Sequence, residues 1–387
     1  MEPTRIYLDY NASTPLAPEV AQAMAPWLAE GFGNPSSAHW AGIPARRALE
    51  SARGQVAGLL GCTPAEVVFT SGGSEANNAA LKGVWFARRE RGNHIVTTRI
   101  EHPAVLEPCR WMEGLGAEVT RVGVDRFGRV DPADVRRALT PRTVLVSVMH
   151  ANNETGTLQP LAEIAQVCRE AGVLLHTDAA QSVGKVPVGV DDLGVDLLSV
   201  AGHKLYAPKG VGALYLREGT PFVPLIHGAG HEGGRRAGTE SVLLAAGLGA
   251  ACEVAGRDPG MARTRALRDR LWEGLQERFG DRVVRNGHPE HCLPNTLHVS
   301  FLGRTGADVL ASIPGVAAST GSACHSGKIQ LSATLEAMGV GPEAGAGAVR
   351  WSLGRFTTAD EIEAVLAQLG ELALGSSAIP SGGPRCR

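Results

Sequence analysis

The sequence lacks the features that mark secreted, membrane-spanning and nucleic-acid-binding proteins. Its start, MEPTRIYLDYNASTP, has no apolar core of a signal peptide, and the longest apolar stretch, Val242 to Ala255, is too short and glycine-broken to span a bilayer. A net charge of -2 gives no electrostatic reason to expect nucleic acid or an anionic membrane as a partner. We therefore expect a cytoplasmic protein that binds neither.

Cysteine is present but follows no pattern. The seven cysteines are Cys62, Cys109, Cys168, Cys252, Cys292, Cys324 and Cys386. An odd number of cysteines without C-x-x-C spacing supports neither a disulfide framework nor a structural zinc site. The sequence therefore predicts thiols and no metal site.

The length of 387 residues is too great for one compact core and predicts two domains. The Arg257-Asp-Pro-Gly260 stretch breaks the helical pattern and is the predicted boundary. We expect residues 14–257 to form a large domain, and residues 1–13 with 258–374 to form a smaller α+β domain. The tail, residues 375–387, is rich in small residues and proline and is predicted to be disordered.

Short apolar runs alternate with helical patterns through the predicted large domain. The runs are Val67–Phe69, Ile95–Thr98, Val119–Val122, Thr143–Met149, Val173–Thr177, Asp196–Val200 and Val211–Leu216. This alternation predicts an α/β fold, a mostly parallel seven-stranded sheet with helices on both faces. Ligands of such sheets bind beyond the carboxyl ends of the strands.

A polar turn with His203 and Lys204 separates the last two apolar runs. A lysine in a turn is usually solvated. A lysine at the end of a buried strand can instead be desolvated, which lowers its pKa and frees an amine to attack a carbonyl group. Such an amine is what a Schiff base with pyridoxal phosphate requires.

The segment Thr70-Ser-Gly-Gly-Ser-Glu-Ala76 follows a strand and opens a helix. Gly72 and Gly73 let the backbone approach an anion, Ser74 can cap the helix, and the helix dipole favours a phosphate there. The segment has neither the GxxxxGK[ST] of a nucleotide-binding loop nor the GxGxxG of a dinucleotide site. On these residues alone, a simple turn remains the alternative.

Three polar motifs follow predicted strands, Glu101-His-Pro103, Met149-His-Ala-Asn-Asn-Glu-Thr-Gly156 and His176-Thr-Asp-Ala-Ala-Gln181. The histidine of the first motif can equally be structural, and the second motif can equally be a polar loop. An aspartate that ends an apolar strand is costly to bury alone, so Asp178 should face a cation or several donors. A protonated pyridinium nitrogen is such a cation.

Cys324 differs from a typical buried cysteine because small and polar residues surround it in the run Ser319-Thr-Gly-Ser-Ala-Cys-His-Ser-Gly-Lys328. We expect this run to be an exposed, mobile loop. His325 and Lys328 would favour the thiolate, which is the form of cysteine that attacks.

Together these motifs resemble the cysteine desulfurases, a branch of the class-V aminotransferases among the fold-type I pyridoxal-phosphate enzymes. The segment Ser199-Val-Ala-Gly-His-Lys204 is similar to their cofactor-lysine segment, and the resemblance extends from about Tyr7 to Thr358. It implies that Lys204 binds pyridoxal 5′-phosphate, that His102 stacks on its ring and transfers protons, and that Cys324 is the nucleophile. The implied cofactor contacts are Gly73, Ser74, Asn153, Asp178, Gln181, His203, Lys204 and Thr239, and the implied substrate contacts are Asn34 and Arg350.

The resemblance assigns a role to several of these contacts. Ser74 would bind the phosphate, Asp178 the ring nitrogen and Gln181 the ring hydroxyl. Thr239 would reach the phosphate of the partner's cofactor across a homodimer interface, although the surrounding segment, residues 227–240, can also be read as a basic surface loop. Arg350 would bind the substrate carboxylate as a fork.

The implied reaction converts L-cysteine to L-alanine and leaves a persulfide on Cys324 for an acceptor such as an iron–sulfur scaffold. Two departures bear on this expectation. The family often has a serine where Ala201 stands, and the Cys-His-Ser run also resembles that of the sister selenocysteine lyases. Selenocysteine lyase is therefore the nearest alternative, followed by an aminotransferase of the same fold and a non-catalytic binder of a phosphate-bearing ligand.

Overall fold

The structure, a computed structural model, describes residues 5–257, 260–320, 322–325 and 328–374, with the backbone alone at 322–325, 328–330 and 372–374. The predicted disordered tail, residues 375–387, lies outside the described residues. So do Gly321, Ser326 and Gly327 of the predicted nucleophile loop.

Strands and helices alternate through the first two thirds of the chain. The strands are β1 Ile6–Tyr7, β2 Val67–Thr70, β3 His94–Thr98, β4 Glu118–Val122, β5 Thr143–Ser147, β6 Leu174–Asp178, β7 Leu197–Ala201, β8 Gly212–Leu216, β9 Val283–Asn286, β10 Thr296–Phe301, β11 Val316–Ala317, β12 Ser319–Thr320, β13 Ser322–His325, β14 Lys328–Leu331 and β15 Ala348–Ser352. The α-helices are α1 Pro18–Met24, α2 Gly42–Leu60, α3 Gly73–Ala87, α4 Pro103–Glu113, α5 Pro132–Ala138, α6 Leu161–Ala171, α7 Val190–Leu193, α8 Val242–Arg257, α9 Met261–Phe279, α10 Gly306–Ala311, α11 Ala333–Ala337, α12 Pro342–Ala346 and α13 Ala359–Leu374. Among the described helices, none combines the length and apolar character needed to cross a membrane.

The large sheet has seven strands in the order β2-β8-β7-β6-β5-β3-β4. Strands β7, β6, β5, β3 and β4 run parallel, whereas β8 is antiparallel to both of its neighbours. The direction of β8 follows from its connection to β7, because the residues from 202 to 211 hold no crossover helix of the kind that joins parallel strands. The predicted mostly parallel seven-stranded sheet is confirmed.

Helices cover both faces of this sheet because its central strands are apolar on both sides. All five residues of β5 are buried. On one face Val146 packs in a cluster with side chains of α2, α6 and α8, and on the other Leu145 packs with side chains of α3 and α4. The two clusters fix the sheet between two helical layers, so that only its edges and strand ends are left for a ligand.

A second sheet, antiparallel and in the order β12-β15-β10-β9, packs against α9 and α13. Trp351 of β15 is fully buried in this core. The start of the chain belongs to the same core, since β1 pairs with β11 and both Ile6 and Leu8 are buried there. Residues 9–15 then lead from this core to the carboxyl ends of β6 and β7, where Asn11 contacts Gln181 and Thr14 contacts His203.

A buried ion pair fixes the glycine-rich and arginine-rich segment, residues 227–240, to the large sheet. Arg53 of α2 donates from Nη1 and Nη2 to the two carboxylate oxygens of Glu232 at 2.7 and 2.8 Å. Glu232 Oε2 also accepts the backbone N–H of Phe69 in β2 at 2.8 Å. The side chain of Glu232 is 1 % exposed, so its charge depends on these partners.

We expect Arg53→Met to lower the free energy of unfolding by about 3 to 5 kcal/mol, because it leaves the Glu232 carboxylate buried without its cation. The matched control is Arg110→Met, which removes the exposed pair with Glu107 and should cost at most about 1 kcal/mol. Urea unfolding of both variants measures the difference. The double variant Arg53→Met/Glu232→Met should recover part of the loss, and equal losses for Arg53→Met and Arg110→Met would contradict the role of the pair.

Candidate active site

A cavity of about 670 Å³ opens at the carboxyl ends of the parallel strands. Its wall includes Asp178 and Ala201, the last residues of β6 and β7, and Met149, which lies just beyond β5. Nine of the predicted site residues line it together, Gly73, Ser74, His102, Asn153, Asp178, Gln181, His203, Lys204 and Arg350. Since Arg350 comes from β15, the second sheet also contributes to the cavity.

Lys204 ends a short 3₁₀ turn, Gly202–Lys204, directly after β7. Its Nζ donates to the main-chain oxygens of Asn11 and, at 2.9 Å, of Ala12. Burial lowers the pKa of this amine to about 8, with the Arg350 guanidinium as a second cause. The structure thus presents an amine that gives up its proton more readily than an ordinary lysine.

His203 is fixed beside this lysine by the N-terminal segment. Its carbonyl oxygen accepts the backbone N–H of Thr14 at 2.9 Å and the Thr14 hydroxyl at 3.0 Å. Burial, together with the Lys204 and Lys209 cations, lowers the pKa of the imidazole to about 4. The ring is therefore neutral at pH 7 and lines the cavity as an uncharged wall.

Two hydrogen-bond donors hold the side chain of Asp178 at the cavity. Its Oδ2 accepts from Nδ2 of Asn77 in α3 at 2.7 Å, and its Oδ1 accepts the N–H of Ala180 at 2.9 Å. The residue is 6 % exposed and has no cationic partner among the described residues. Asn77 was not singled out from the sequence, because an asparagine inside a helix pattern does not show which way it faces.

The glycine-rich segment forms the N-terminus of α3, a helix of 15 residues. Gly72 is the N-cap with φ 147°, a conformation that side chains rarely adopt, so the prediction that Ser74 caps this helix is wrong. Ser74 instead lies in the first turn and is exposed at the cavity. The N–H groups of a first turn have no intrahelical partner, and here they face a cavity large enough for a ligand.

His102 is the N-cap of α4, and its Nδ1 accepts the N–H of Ala104 at 3.0 Å. Burial lowers the pKa of the imidazole, although the Asp178 carboxylate acts in the opposite direction. Because Nδ1 is engaged as an acceptor, the proton of the neutral ring is on Nε2. Nε2 is thus the nitrogen that can exchange a proton with a group in the cavity.

The preceding residue, Glu101, is a buried carboxyl group without a cation. Its Oε1 accepts from the Thr98 hydroxyl at 2.8 Å and from the Met149 N–H at 2.9 Å, whereas its Oε2 is buried without a partner. Burial raises the pKa of Glu101 to about 8, and the Asp178 carboxylate adds to the shift. Glu101 is therefore protonated near pH 7 and leaves Asp178 as the carboxylate at this end of the cavity.

Arg350 is not the free fork that the sequence suggested. Its Nη2 forms an ion pair with Asp9 Oδ1 at 2.7 Å and donates to the Ser319 hydroxyl at 3.0 Å. Its Nη1 donates to the carbonyl oxygen of Asn153 at 2.9 Å, which leaves one N–H on Nη1 for another acceptor. A carboxylate that bound across both Nη atoms would have to replace Asp9 or Ser319.

Asn11 and Lys185 also belong to this site, and neither was singled out from the sequence. Asn11 is 1 % exposed, and its main-chain oxygen accepts from both Lys204 Nζ and Gln181 Nε2. Lys185 Nζ donates to Gln181 Oε1 at 3.0 Å and to Asn11 Oδ1 at 3.3 Å. Contacts between residues about 170 positions apart leave no local pattern that would reveal them.

Of the predicted site residues whose side chains are described, Asn34 and Thr239 are not among those that line the cavity. Asn34 is exposed and its Oδ1 accepts the N–H of Ser36 at 2.9 Å, as in an Asx turn. Thr239 is exposed in the segment that follows Glu232. The backbone of Cys324 lies in β13, where it pairs with Ile329 of β14, so residues 322–325 form a short strand rather than the predicted loop; the Cys324 side chain lies outside the described residues.

Among the cysteines whose side chains are described, none has the features of a reactive thiol. The five whose side chains are described, Cys62, Cys109, Cys168, Cys252 and Cys292, are free. Burial raises the pKa of Cys62, Cys109, Cys168 and Cys252 to about 12, which disfavours a thiolate at each. No cluster of three or more metal-ligating side chains occurs among the described residues.

Residues 6–365 match the model of the aminotransferase class-V family. A protein of Dictyoglomus turgidum named cysteine desulfurase IscS is 47 % identical over 365 residues, which are 93 % of this chain and 92 % of that protein. The solved structure of a NifS-like protein has a TM-score of 0.90 and 37 % identity, covering 96 % of this chain and 100 % of the other. The structure of SspA in complex with cysteine has a TM-score of 0.82 and 38 % identity, covering 92 % of this chain and 100 % of the other.

We expect Glu101→Gln to remove part of the pH dependence of stability. The folded-state pKa of Glu101 is raised from 4.5 to about 8, so the folded protein retains this proton where the unfolded chain loses it. The parent should therefore lose stability relative to Glu101→Gln as the pH rises from 4.5 to 8, by about 5 kcal/mol in total. Urea unfolding at several pH values measures this, with the exposed Glu107→Gln as the control. Parallel pH profiles for the parent and Glu101→Gln would contradict the shift.

Proposed function

The chain belongs to the class-V aminotransferase family, and we propose that it is a pyridoxal-phosphate-dependent cysteine desulfurase that forms L-alanine from L-cysteine. The observation that carries this proposal is the placement of Lys204, an amine whose pKa is lowered to about 8, in one cavity with the Asp178 carboxylate and the N-terminus of α3. The compared proteins whose names state a substrate or ligand all name cysteine, which supports L-cysteine over L-selenocysteine.

The residues present fit pyridoxal phosphate at each of its polar ends. The first turn of α3 would bind the phosphate through backbone N–H groups, and an added Cβ at Gly73 would lie 3.2 Å from Cβ of Ala201, so little space separates this turn from β7. Asp178 would pair with the protonated ring nitrogen and Lys204 would bind the aldehyde carbon. When bound, the group supplies an electron sink for a substrate carbanion.

Ala201 removes one expected phosphate contact. It is 4 % exposed and lines the cavity with a methyl group where the family often has a serine hydroxyl. In this chain the phosphate would depend on the α3 amides, on Ser74 and on Thr239 of the partner subunit, which we propose reaches across a homodimer interface.

Two groups can move protons between substrate atoms. Whenever it is not bound to the cofactor, Lys204 Nζ would take and return a proton, and its lowered pKa suits it to both roles. His102 can exchange a proton only at Nε2, since Nδ1 accepts from Ala104. His203 and Glu101 are neutral, so they add no charge beside the proton-transferring groups Lys204 and His102.

Arg350 would bind the substrate carboxylate and Asn34 would assist it. Because Asp9 already pairs with Nη2, the substrate would either exchange with Asp9 or use the remaining N–H on Nη1. In both cases the guanidinium keeps its position through the Asn153 carbonyl oxygen.

Cys324 would complete the reaction as a thiolate. Its sulfur attacks the substrate sulfur, so the S–S bond of a persulfide forms as the carbon–sulfur bond breaks, and a proton at that carbon gives alanine. We propose that the persulfide sulfur passes to a protein acceptor such as an iron–sulfur scaffold.

We also propose that the protein is cytoplasmic. Its two domains would divide between residues 257 and 258.

The proposal is tested by loading the protein with pyridoxal phosphate, reducing it with borohydride and locating the modified residue. We expect the label on Lys204 and no alanine from L-cysteine with Lys204→Ala. Cys324→Ser should bind the cofactor as the parent does but carry no sulfane sulfur after treatment with cysteine. Lys82→Met, which alters a lysine outside the cavity, should behave as the parent in both assays. Alanine formation at the parental rate by Lys204→Ala would exclude the proposed role.

The shared site predicts complementation between inactive variants. Mixed dimers of Lys204→Ala and Thr239→Ala chains contain one site with both residues intact, so part of the activity should return after subunit exchange. Tagged chains verify that exchange has occurred. An unchanged, inactive mixture after verified exchange would contradict sharing of Thr239.

A further inference from the structure

Lys185 is a buried lysine that contacts two residues of the cavity wall, Asn11 and Gln181. It is 9 % exposed, and its Nζ donates to Gln181 Oε1 and Asn11 Oδ1. No ion pair with a carboxylate involves it among the described residues, and the charged groups that act on it are the Lys204 and Arg350 cations. An ammonium group buried beside two cations is costly, so its retention calls for an explanation beyond packing.

The hydrogen bonds fix which end of the Gln181 amide faces which neighbour. Gln181 Nε2 donates to the main-chain oxygen of Asn11 at 3.0 Å, and a main-chain oxygen can only accept. The other end of the amide, Oε1, accepts from Lys185 Nζ at 3.0 Å, and Nζ carries N–H groups to donate whether it is charged or neutral. A rotation of the amide by 180° would place its oxygen against the Asn11 main-chain oxygen, which cannot donate.

The nitrogen end of this amide lies on the cavity side. The Asn11 oxygen that accepts from Gln181 Nε2 is the same atom that accepts from Lys204 Nζ. Gln181 Nε2 and Lys204 Nζ therefore lie beside one another, and Gln181 lines the cavity. One N–H of the amide is used by Asn11, and the second remains for a ligand. Next to Lys204, the cavity offers a donor.

We propose that Lys185 is a positioning residue, which holds Gln181 so that its amide donates a hydrogen bond to the ring oxygen of pyridoxal phosphate. This inference rests on the proposed function and deepens it. In pyridoxal the ring hydroxyl is carried by the carbon next to the one that bears the aldehyde, so the oxygen that comes near Gln181 is that of the hydroxyl. A fixed donor there favours the ionised oxygen over the neutral hydroxyl.

The test measures the dissociation constant of pyridoxal phosphate for the parent, Lys185→Met, Gln181→Leu and the double variant. Each single variant should bind about tenfold more weakly, the loss expected for one hydrogen bond to a charged oxygen. The double variant should bind no more weakly than Gln181→Leu, because Lys185 acts through that residue. Lys82→Met is the matched control for loss of a lysine and should bind as the parent does.

A spectroscopic readout separates positioning from general damage. In Lys185→Met the absorbance of the bound cofactor should titrate at a higher pH than in the parent, since the ionised ring oxygen has lost its donor. A cofactor analogue with a methylated ring hydroxyl should bind the parent and Lys185→Met equally well. Additive losses in the double variant, or equal weakening for the analogue, would overturn the proposal.

Gln181→Glu tests the same point if Lys185→Met does not fold. The introduced carboxylate still accepts from Lys185 but offers no N–H to the cavity. We therefore expect Gln181→Glu to bind pyridoxal phosphate more weakly than Gln181→Leu. Binding as tight as the parent would show that Gln181 accepts from the cofactor and would overturn the assignment. A parent protein that fails to bind pyridoxal phosphate at all would refute the proposed function itself, which keeps the two failures distinct.

Discussion

The hydrogen bonds of Asn11 are the constraint on which the site depends. Its partners are Asn153, Gln181, Lys185, Lys204, Asn295, Thr296 and Ser352. Four of them lie beyond the carboxyl ends of β5, β6 and β7, and the other three lie in or next to the second sheet, so one buried asparagine joins the two parts of the fold at the cavity. Because every one of its polar atoms is paired, a displacement of the N-terminal segment would leave several buried groups without partners. The position of Lys204 is thereby coupled to the packing of the second sheet.

Burial shifts the pKa values of several ionisable groups around the cavity and so affects which of them carry a charge. Glu101 is protonated near pH 7 and Asp178 is paired with donors, although the two carboxyl groups act on each other. Burial likewise lowers the pKa of Lys204 to about 8 and that of Lys185 to about 7. The cavity thus contains Asp178 and the Lys204 amine, which is readily deprotonated, an arrangement suited to a ligand with a cationic nitrogen and an electrophilic carbon.

The sequence predicted the fold better than the site. The fold follows from local patterns of apolar residues, whereas part of the site depends on contacts between residues far apart in the sequence. Each central strand is a continuous apolar run, and the helical spacing between the runs fixes a parallel sheet. Eight of the nine predicted cavity residues end or follow strands of the large sheet or open a helix, so the sheet brings them together, whereas Arg350 lies in β15 of the second sheet. Asn11, Asn77 and Lys185 take part through long-range contacts and have no such pattern. The Ser74 cap failed for a local reason, since a backbone conformation at φ 147° places Gly72 at the cap.

The Arg350–Asp9 pair gives a physical reason why this cavity would favour an amino acid over a smaller amine. Without substrate, the guanidinium is satisfied by Asp9, Ser319 and the Asn153 carbonyl oxygen, and only Nε is buried without a partner. A substrate carboxylate that enters would replace Asp9 as the anion beside the guanidinium. Folding has already removed the guanidinium from bulk water, so substrate binding would not bear that desolvation cost again. An amine without a carboxylate gains nothing from this exchange. Asp9 follows β1 and precedes Asn11 by two residues, so the segment that pairs with Arg350 is the same one that holds Lys204.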